Sequence, residues 1–303
     1  MKTLFLLDSG DPDEYRQICE LAKKNNSEIW GATTNPSLIA KKLADTSAPL
    51  GVNKKVSPKE AFKLQKQIVL EIANIVPGAV SAEVYADENT KAEELIGEGR
   101  EIAKWHMRII VKLPTTIEGF KARTALRKEG ITVNNTLVFS QEQVFAICLH
   151  EQIIQNSYNP IKTIWPSFIS PFVGRLDDIG QNGMDLVKNS MSMKEEFGFN
   201  LWMLEASVRK SEHIKLGIDY RTELMTAPAK VYNEWFEQST NQQMDKKKKL
   251  EPIPYWNPSD ELLSVEKIGE FMHLIESGQL NIHHELTDKG VVRFATDWKA
   301  IIA

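Results

Sequence analysis

Two runs decide the fold: Arg108-Ile109-Ile110-Val111-Lys112-Leu113 and Thr132-Val133-Asn134-Asn135-Thr136-Leu137-Val138-Phe139. Each is short and mostly apolar, and the longer stretch between them is amphipathic. That is the pattern of a strand, a crossover helix and a parallel strand. Ser140-Gln141-Glu142-Gln143, a capping box, opens the next helix. Working outward, similar runs recur at 3–8, 29–33 and 80–85 upstream, and at 164–170, 200–206 and 223–227 downstream. A helical pattern fills 12–24. Asn35-Pro36 reads as an N-cap followed by proline at the first helical position, where its missing N–H costs nothing. Ser57-Pro58-Lys59-Glu60 reads as a second capping box.

Eight such units in roughly 230 residues predict an α/β fold, the (β/α)8 TIM barrel. A doubly wound open sheet is the alternative, because periodicity alone does not show closure. No glycine-rich dinucleotide fingerprint follows the first run, which counts against its Rossmann form. Beyond residue 230 the pattern changes. Lys246–Lys249 is a lysine run in a polar stretch and reads as a solvated loop. Asn257-Pro258 is expected to start a helix ended by Gly278, and a last helix to run from about Asp288. The expectation is one domain over 1–303, with a barrel core at about 3–230 and additional C-terminal helices at about 231–303.

Composition excludes several classes. The 37 basic and 41 acidic side chains leave a net charge of −4, so no general field attracts nucleic acid or an anionic membrane. Any anionic ligand must be held by local cations. The apolar run 4–7 is too short for a signal peptide, and no run approaches a membrane span. Cys19 and Cys148 are far apart and lack metal-ligand spacing, which fits reduced thiols in a cytoplasmic protein. His283-His284 are adjacent, so they face different ways and read as surface residues. No metal and no cofactor are expected.

The informative feature is where polar residues fall. Asp8 ends the first run, and Thr33 ends the second with Asn35 just beyond. Glu83 lies late in the third and Lys112 late in the fourth. Asn134 and Thr136 lie in the fifth, Ser170 ends the sixth, and Arg175, Ser207 and Arg209 follow the sixth and seventh. In a parallel barrel the carboxyl ends of the strands build the active site. Taken alone, Lys112 reads as a strand-end lysine reaching to solvent. The functional alternative is a buried amine, partly neutral through desolvation, that attacks a carbonyl to form an imine. Asp8 and Glu83 either pair with its charge or share its proton transfers.

Thr33-Thr34-Asn35-Pro36-Ser37-Leu38, Lys112, Asn134 through Ser140, Ile169-Ser170-Pro171-Phe172-Val173-Gly174-Arg175 and Ala206-Ser207-Val208-Arg209 together resemble the transaldolase family. They occur in that family's order and cover residues 3 to about 230. The resemblance implies transfer of a dihydroxyacetone unit between sugar phosphates in the pentose phosphate pathway, with Lys112 as the Schiff-base lysine. It implies that Asp8 is the base for C3–C4 cleavage, and that Glu83 and Thr136 act through a water in imine formation. Asn35, Asn134 and Ser170, beside Thr33, then hold the donor hydroxyls or the imine centre. Arg175, Ser207 and Arg209 cradle the terminal phosphate. Fructose 6-phosphate aldolases resemble this pattern but carry glutamine at position 83 and tyrosine at 172, so Glu83 and Phe172 read as transferase. Lys112-Leu113-Pro114-Thr115-Thr116 is more similar to the small aldolase-like branch. A non-catalytic sugar-phosphate-binding barrel is a further alternative, against which the trio Asp8, Glu83 and Lys112 argues. Oligomeric state stays open, a homo-oligomer included.

Overall fold

The structure is a computed structural model and describes residues 2–47, 55–158, 163–237 and 249–303. Its strands are β1 (Leu4–Asp8), β2 (Ile29–Thr33), β3 (Val80–Glu83), β4 (Ile109–Pro114), β5 (Val133–Val138), β6 (Phe168–Pro171), β7 (Trp202–Glu205) and β8 (Leu224–Ala227). Each pairs in parallel with its successor, and β8 pairs with β1, so the sheet closes into a barrel. Closure removes the open-sheet alternative. Helices α1 (Pro12–Lys24), α2 (Pro36–Ser47), α3 (Pro58–Ile75), α4 (Ala92–Ala103), α5 (Ile117–Lys128), α6 (Gln141–Ser157), α7 (Val173–Asp178), α8 (Gly183–Glu196), α9 (Ser211–Asp219) and α10 (Ala229–Phe236) form the outer layer. Then come α11 (Asp260–Leu263), α12 (Ile268–Ser277) and α13 (Glu285–Ala300). No helix among the described residues is long and apolar enough to cross a membrane.

The helix starts follow the sequence signals. Asn35 Oδ1 accepts from Leu38 N at 3.0 Å, and Ser140 and Gln143 form a complete capping box. At α3 the serine half is present, with Ser57 Oγ accepting from Glu60 N at 3.2 Å. Four expectations need correction. The strand expected from 164 begins at Phe168, because Pro166 has no N–H to give a ladder and Ile164 faces solvent. The single helix expected from 257 to Gly278 is two, α11 capped by Ser259 and α12 ended by Gly278 at φ +78°. The last helix starts at Glu285, capped by His284, whose ring stacks on Phe139 at 5.3 Å. His284 is therefore half-buried, not a surface residue, while His283 is exposed and pairs with Asp288 at 2.8 Å. Most of the Lys246–Lys249 run lies outside the described residues.

Strand alternation sorts side chains into a helix-facing set and an interior set. Phe5 and Leu7 of β1, Ile109 and Val111 of β4, and Met225 of β8 pack outward against the helices in one cluster. Leu6, Ile110, Phe168, Leu204 and Leu224, from five different strands, meet inside and fill the barrel's lower half. Two residues further along those same strands stand Asp8, Lys112, Ser170, Ala206 and Thr226, on the inward face and nearer the carboxyl ends. The period of two thus makes an apolar plug below and a polar layer above. Gly31 belongs to the crowded inner layer, where a Cβ would lie 2.5 Å from the Ala79 carbonyl.

Of the C-terminal helices, α12 packs on α6 in the outer layer, with Phe271 against Phe120 and His150, and α13 packs over the upper end. Leu286, Val291 and Phe294 of α13 share a buried cluster with Leu137, Phe139 and Phe172, and Trp298 packs on Ile39, Ala40 and Ala61. Gly290 lies against Leu137, whose Cδ2 a Cβ at Gly290 would meet at 2.5 Å.

A charged residue breaks the apolar pattern on the outward face of β7. Glu205 is fully buried between β7 and α9, and neither carboxylate oxygen has a hydrogen-bond partner among the described residues. Gly217 makes the space, since a Cβ there would sit 2.0 Å from Glu205 Oε2. Burial alone pushes this carboxyl well above the usual range. A raised folded-state value means that stability is lost as pH climbs above the unfolded value of roughly 4.3. Glu205→Gln is therefore expected to raise Tm at pH 8 by at least about 2 °C, from roughly 1 kcal/mol, and to leave Tm nearly unchanged at pH 4. Thermal unfolding at both pH values checks this, and an equal shift at both would contradict it.

Candidate active site

The upper end of the barrel opens into a cavity of about 210 Å³. Its floor is Lys112, with a relative exposure of 3%. Register explains its neighbours: Glu83 of β3 pairs with Lys112 of β4, and Lys112 with Asn134 of β5, so the three stand side by side at one level. Lys112 Nζ forms an ion pair with Glu83 Oε2 at 2.8 Å and donates to the Thr34 carbonyl at 3.3 Å. The Phe294 ring from α13 covers it, with its centroid 5.9 Å from Nζ.

Asp8 enters from β1, whose end is pegged from outside. Tyr15 Oη of α1 donates to the Leu7 carbonyl at 2.8 Å, and Tyr232 Oη of α10 donates to that of Leu6 at 2.8 Å. Thr33 Oγ1 donates to Asp8 Oδ1 at 2.7 Å and lies 2.7 Å from Thr226 Oγ1. A hydroxyl has one proton, so Thr226 donates to Thr33 and the chain ends on the Asp8 carboxylate. On β3, Gln65 Nε2 of α3 holds the Glu83 carbonyl at 3.0 Å.

Burial raises the Asp8 carboxyl above its ordinary value, partly offset by the Lys112 charge and then the Thr33 hydrogen bond. Burial likewise raises Glu83, offset first by the charge of Lys112 and then by its direct contact. Two carboxyls pushed upward beside one amine can exchange protons in a water-poor site.

The opposite wall carries polar and cationic groups. Ser170 Oγ donates to Asn134 Oδ1 at 2.6 Å, and Asn134 Nδ2 donates to Ser81 Oγ at 3.1 Å. Thr136 Oγ1 is buried and makes no hydrogen bond to a described residue. The next residue, Leu137, is left-handed at φ +59°, where the β5–β6 register shifts. Arg175 is half-buried in the rim, its guanidinium 6.0 Å from the Phe172 ring and 5.8 Å from that of Phe294. Burial, then Arg293, then Arg209 hold its pKa below the usual arginine value. Three like charges converging on one rim form a site that an anion relieves. Arg209 meanwhile pairs with Asp178 at 2.6 Å.

The structure brings the expected residues together at one end of the barrel. Asp8, Thr33, Asn35, Lys112, Ser170, Phe172, Arg175, Ser207 and Arg209 line the cavity. Glu83, Asn134 and Thr136 are buried behind that surface. Sequence reasoning missed Ser37, Leu38, Thr226, Arg293 and Phe294, which also line it. Thr226 carried a usable signal, lying two residues beyond Leu224 on the eighth run as Asp8 lies beyond Leu6. Phe294 and Arg293 carried none, since their role depends on where α13 docks. Among the described residues no cluster of three or more His, Cys, Asp or Glu side chains suited to a metal ion occurs.

The molecule is a closed parallel barrel with a buried lysine–carboxylate pair at the carboxyl ends of its strands. Residues 5–303 match the Transaldolase/Fructose-6-phosphate aldolase family, and the chain belongs to that family. A probable transaldolase from Lactiplantibacillus plantarum is 31% identical over 299 residues, covering 99% of this chain and 98% of that one. Another from Desulfitobacterium hafniense is 36% identical over 222 residues, covering 72% of this chain and 85% of its own. The chain is thus an enzyme of the transaldolase/aldolase type.

The electrostatics give a test. Lys112 is the main charge lowering both carboxyls. In Lys112→Met, ¹³C-carboxyl NMR titration is expected to show Asp8 and Glu83 titrating at higher pH than in the parent. Unchanged or lower values would contradict the coupling.

Proposed function

We propose that this enzyme is a transaldolase, moving a dihydroxyacetone unit from sedoheptulose 7-phosphate or fructose 6-phosphate to an aldose phosphate acceptor. The observation that carries this reading is Lys112 Nζ, buried 2.8 Å from Glu83 beneath a rim of guanidiniums. A ketose phosphate fits that layout, with its carbonyl down the barrel and its phosphate at the rim.

In this reading the Lys112 amine adds to the C2 carbonyl, and the carbinolamine loses water with Glu83 and Thr136 handling the protons. The imine draws the C3–C4 electron pair toward C2 as Asp8 takes the proton of the C4 hydroxyl. The C3–C4 bond breaks, an aldose phosphate leaves, and an enamine stays on Lys112. An acceptor aldehyde then adds at C3, its new hydroxyl taking the proton from Asp8. Water releases the product ketose and the free amine. Asn35, Asn134 and Ser170, with Thr33 behind Asp8, would orient the donor hydroxyls. Arg175, Ser207 and Arg209 would hold the phosphate, since guanidiniums give it paired charge-assisted hydrogen bonds. Arg293 extends that set. In this reading the reaction needs no cofactor and belongs to a cytoplasmic pentose phosphate pathway.

Phe172 favours transfer over cleavage. It presents a ring, edge-on to Phe139 at 5.6 Å, where a hydroxyl could otherwise position a water or donate a proton to the enamine. Fructose 6-phosphate alone is expected to release little free dihydroxyacetone. With erythrose 4-phosphate it is expected to give sedoheptulose 7-phosphate and glyceraldehyde 3-phosphate. Steady release without acceptor would favour the aldolase reading. Lys112→Ala is expected to abolish turnover. Arg175→Ala should raise KM for fructose 6-phosphate by about tenfold or more, as loss of a charged hydrogen bond does. It should change kcat/KM for unphosphorylated fructose far less, and equal losses would remove the phosphate role.

A further inference from the structure

The two groups proposed to hold phosphate sit on separate elements. Arg175 lies on α7, whereas Ser207 and Arg209 lie in the loop between β7 and α9. What keeps them at one spacing is a matter of specific contacts. At its start, α7 is tied by backbone: Val173 N donates to the Ala206 carbonyl at 3.0 Å and Gly174 N to that of Ser207 at 3.1 Å. Ser207 is left-handed at φ +57°, and a Cβ on Gly174 would come within 2.3 Å of its carbonyl oxygen, so this join tolerates little change.

At the other end of α7 side chains make the join: Arg209 pairs with Asp178 at the exposed surface, and a second pair lies buried beneath it. His213 of α9 is almost fully buried, and its Nε2 lies 3.0 Å from Asp177 Oδ2. Asp177 Oδ1 accepts from Gly183 N at 3.0 Å, and Lys210 Nζ lies 3.4 Å from Oδ2. With Nε2–H given to the carboxylate, Nδ1 carries the lone pair, and Arg209 N–H faces it at 3.5 Å. His213 thus touches both sides, the Asp177 turn of the Arg175 helix and the backbone of Arg209 itself.

We propose that His213, through Asp177, is a positioning residue that fixes the spacing of Arg175 against Ser207 and Arg209 and so sets affinity for the substrate's phosphate. The inference rests on the phosphate reading of those arginines. His213 lines no part of the cavity and touches none of Lys112, Asp8 or Glu83, so its loss acts on phosphate binding and spares the carbonyl chemistry.

The test compares His213→Ala, His213→Gln and Arg175→Ala with the parent, using fructose 6-phosphate and unphosphorylated fructose as donors and inorganic phosphate as the binding probe. His213→Ala is expected to raise KM for fructose 6-phosphate and the Kd for phosphate by about tenfold. Its kcat should stay within about twofold, and kcat/KM for fructose should not change. His213→Gln, which can restore an Nε2–H donor, is expected to recover most of the affinity. If His213→Ala lowers kcat/KM equally for both donors, or leaves phosphate binding intact while Arg175→Ala weakens it, the positioning role is overturned. If Arg175→Ala also spares phosphate binding, the phosphate reading itself falls, and this inference with it. Should His213→Ala not fold, His213→Phe fills the space of the ring without either nitrogen and is read by the same criteria.

Discussion

Everything at the functional end of this barrel depends on one buried charge held at a fixed height. Lys112 stands two residues above Ile110 on the same inward face, directly over the apolar plug formed with Leu6, Phe168, Leu204 and Leu224. Taking an ammonium and a carboxylate out of water costs several kcal/mol each. Their mutual attraction repays that only where the geometry is good, as with Glu83 at 2.8 Å on the adjacent strand. The barrel supplies that geometry through register, by pairing residue 83 with 112 and 112 with 134. Removing one partner of such a pair leaves the other buried and unpaired, typically at about 3–5 kcal/mol. The site is therefore a place where the fold gives up stability to hold reactive groups.

The outer layers hold this arrangement in place. Tyr15, Tyr232 and Gln65 bond to strand carbonyls from outside the sheet and pin the ends of β1 and β3, on which Asp8 and Glu83 stand. On β5 the neighbouring positions point opposite ways. Asn134 faces the site, while Asn135 Oδ1 accepts from Arg123 at 3.0 Å in the helical layer. From above, Thr287 of α13 donates to the carbonyl of the left-handed Leu137 at 2.9 Å, and the same helix lays Phe294 over Lys112. The lysine, the carboxyls and the Phe294 ring are thus set by contacts from α1, α3, α10 and α13.

Much of this was legible in the sequence, and the reasons differ by residue. The short apolar runs located all eight strands. Asp8, Lys112 and Ser170 showed because each interrupts or ends an apolar run with a polar residue. The parts that stayed hidden depend on long-range docking. Arg123 and Arg127 look like ordinary solvated charges on a helix, yet both are buried on Glu151, at 2.5 and 2.7 Å. Glu205 lies near the end of an apolar run and carried no signal of its own, and strand parity turns it outward against Gly217. Arg293 and Phe294 follow Lys112 by more than 180 residues, and only the packing of α13 on α2 and β5 brings them to the rim.

The central claim is that Lys112 forms a covalent imine which an acceptor can discharge. Borohydride added to the enzyme with fructose 6-phosphate, followed by intact mass and peptide mapping, tests it most directly. The account predicts a reduced three-carbon adduct on Lys112 that is lost when erythrose 4-phosphate is added before the borohydride. An adduct on another residue, or none at all in folded protein, would contradict it.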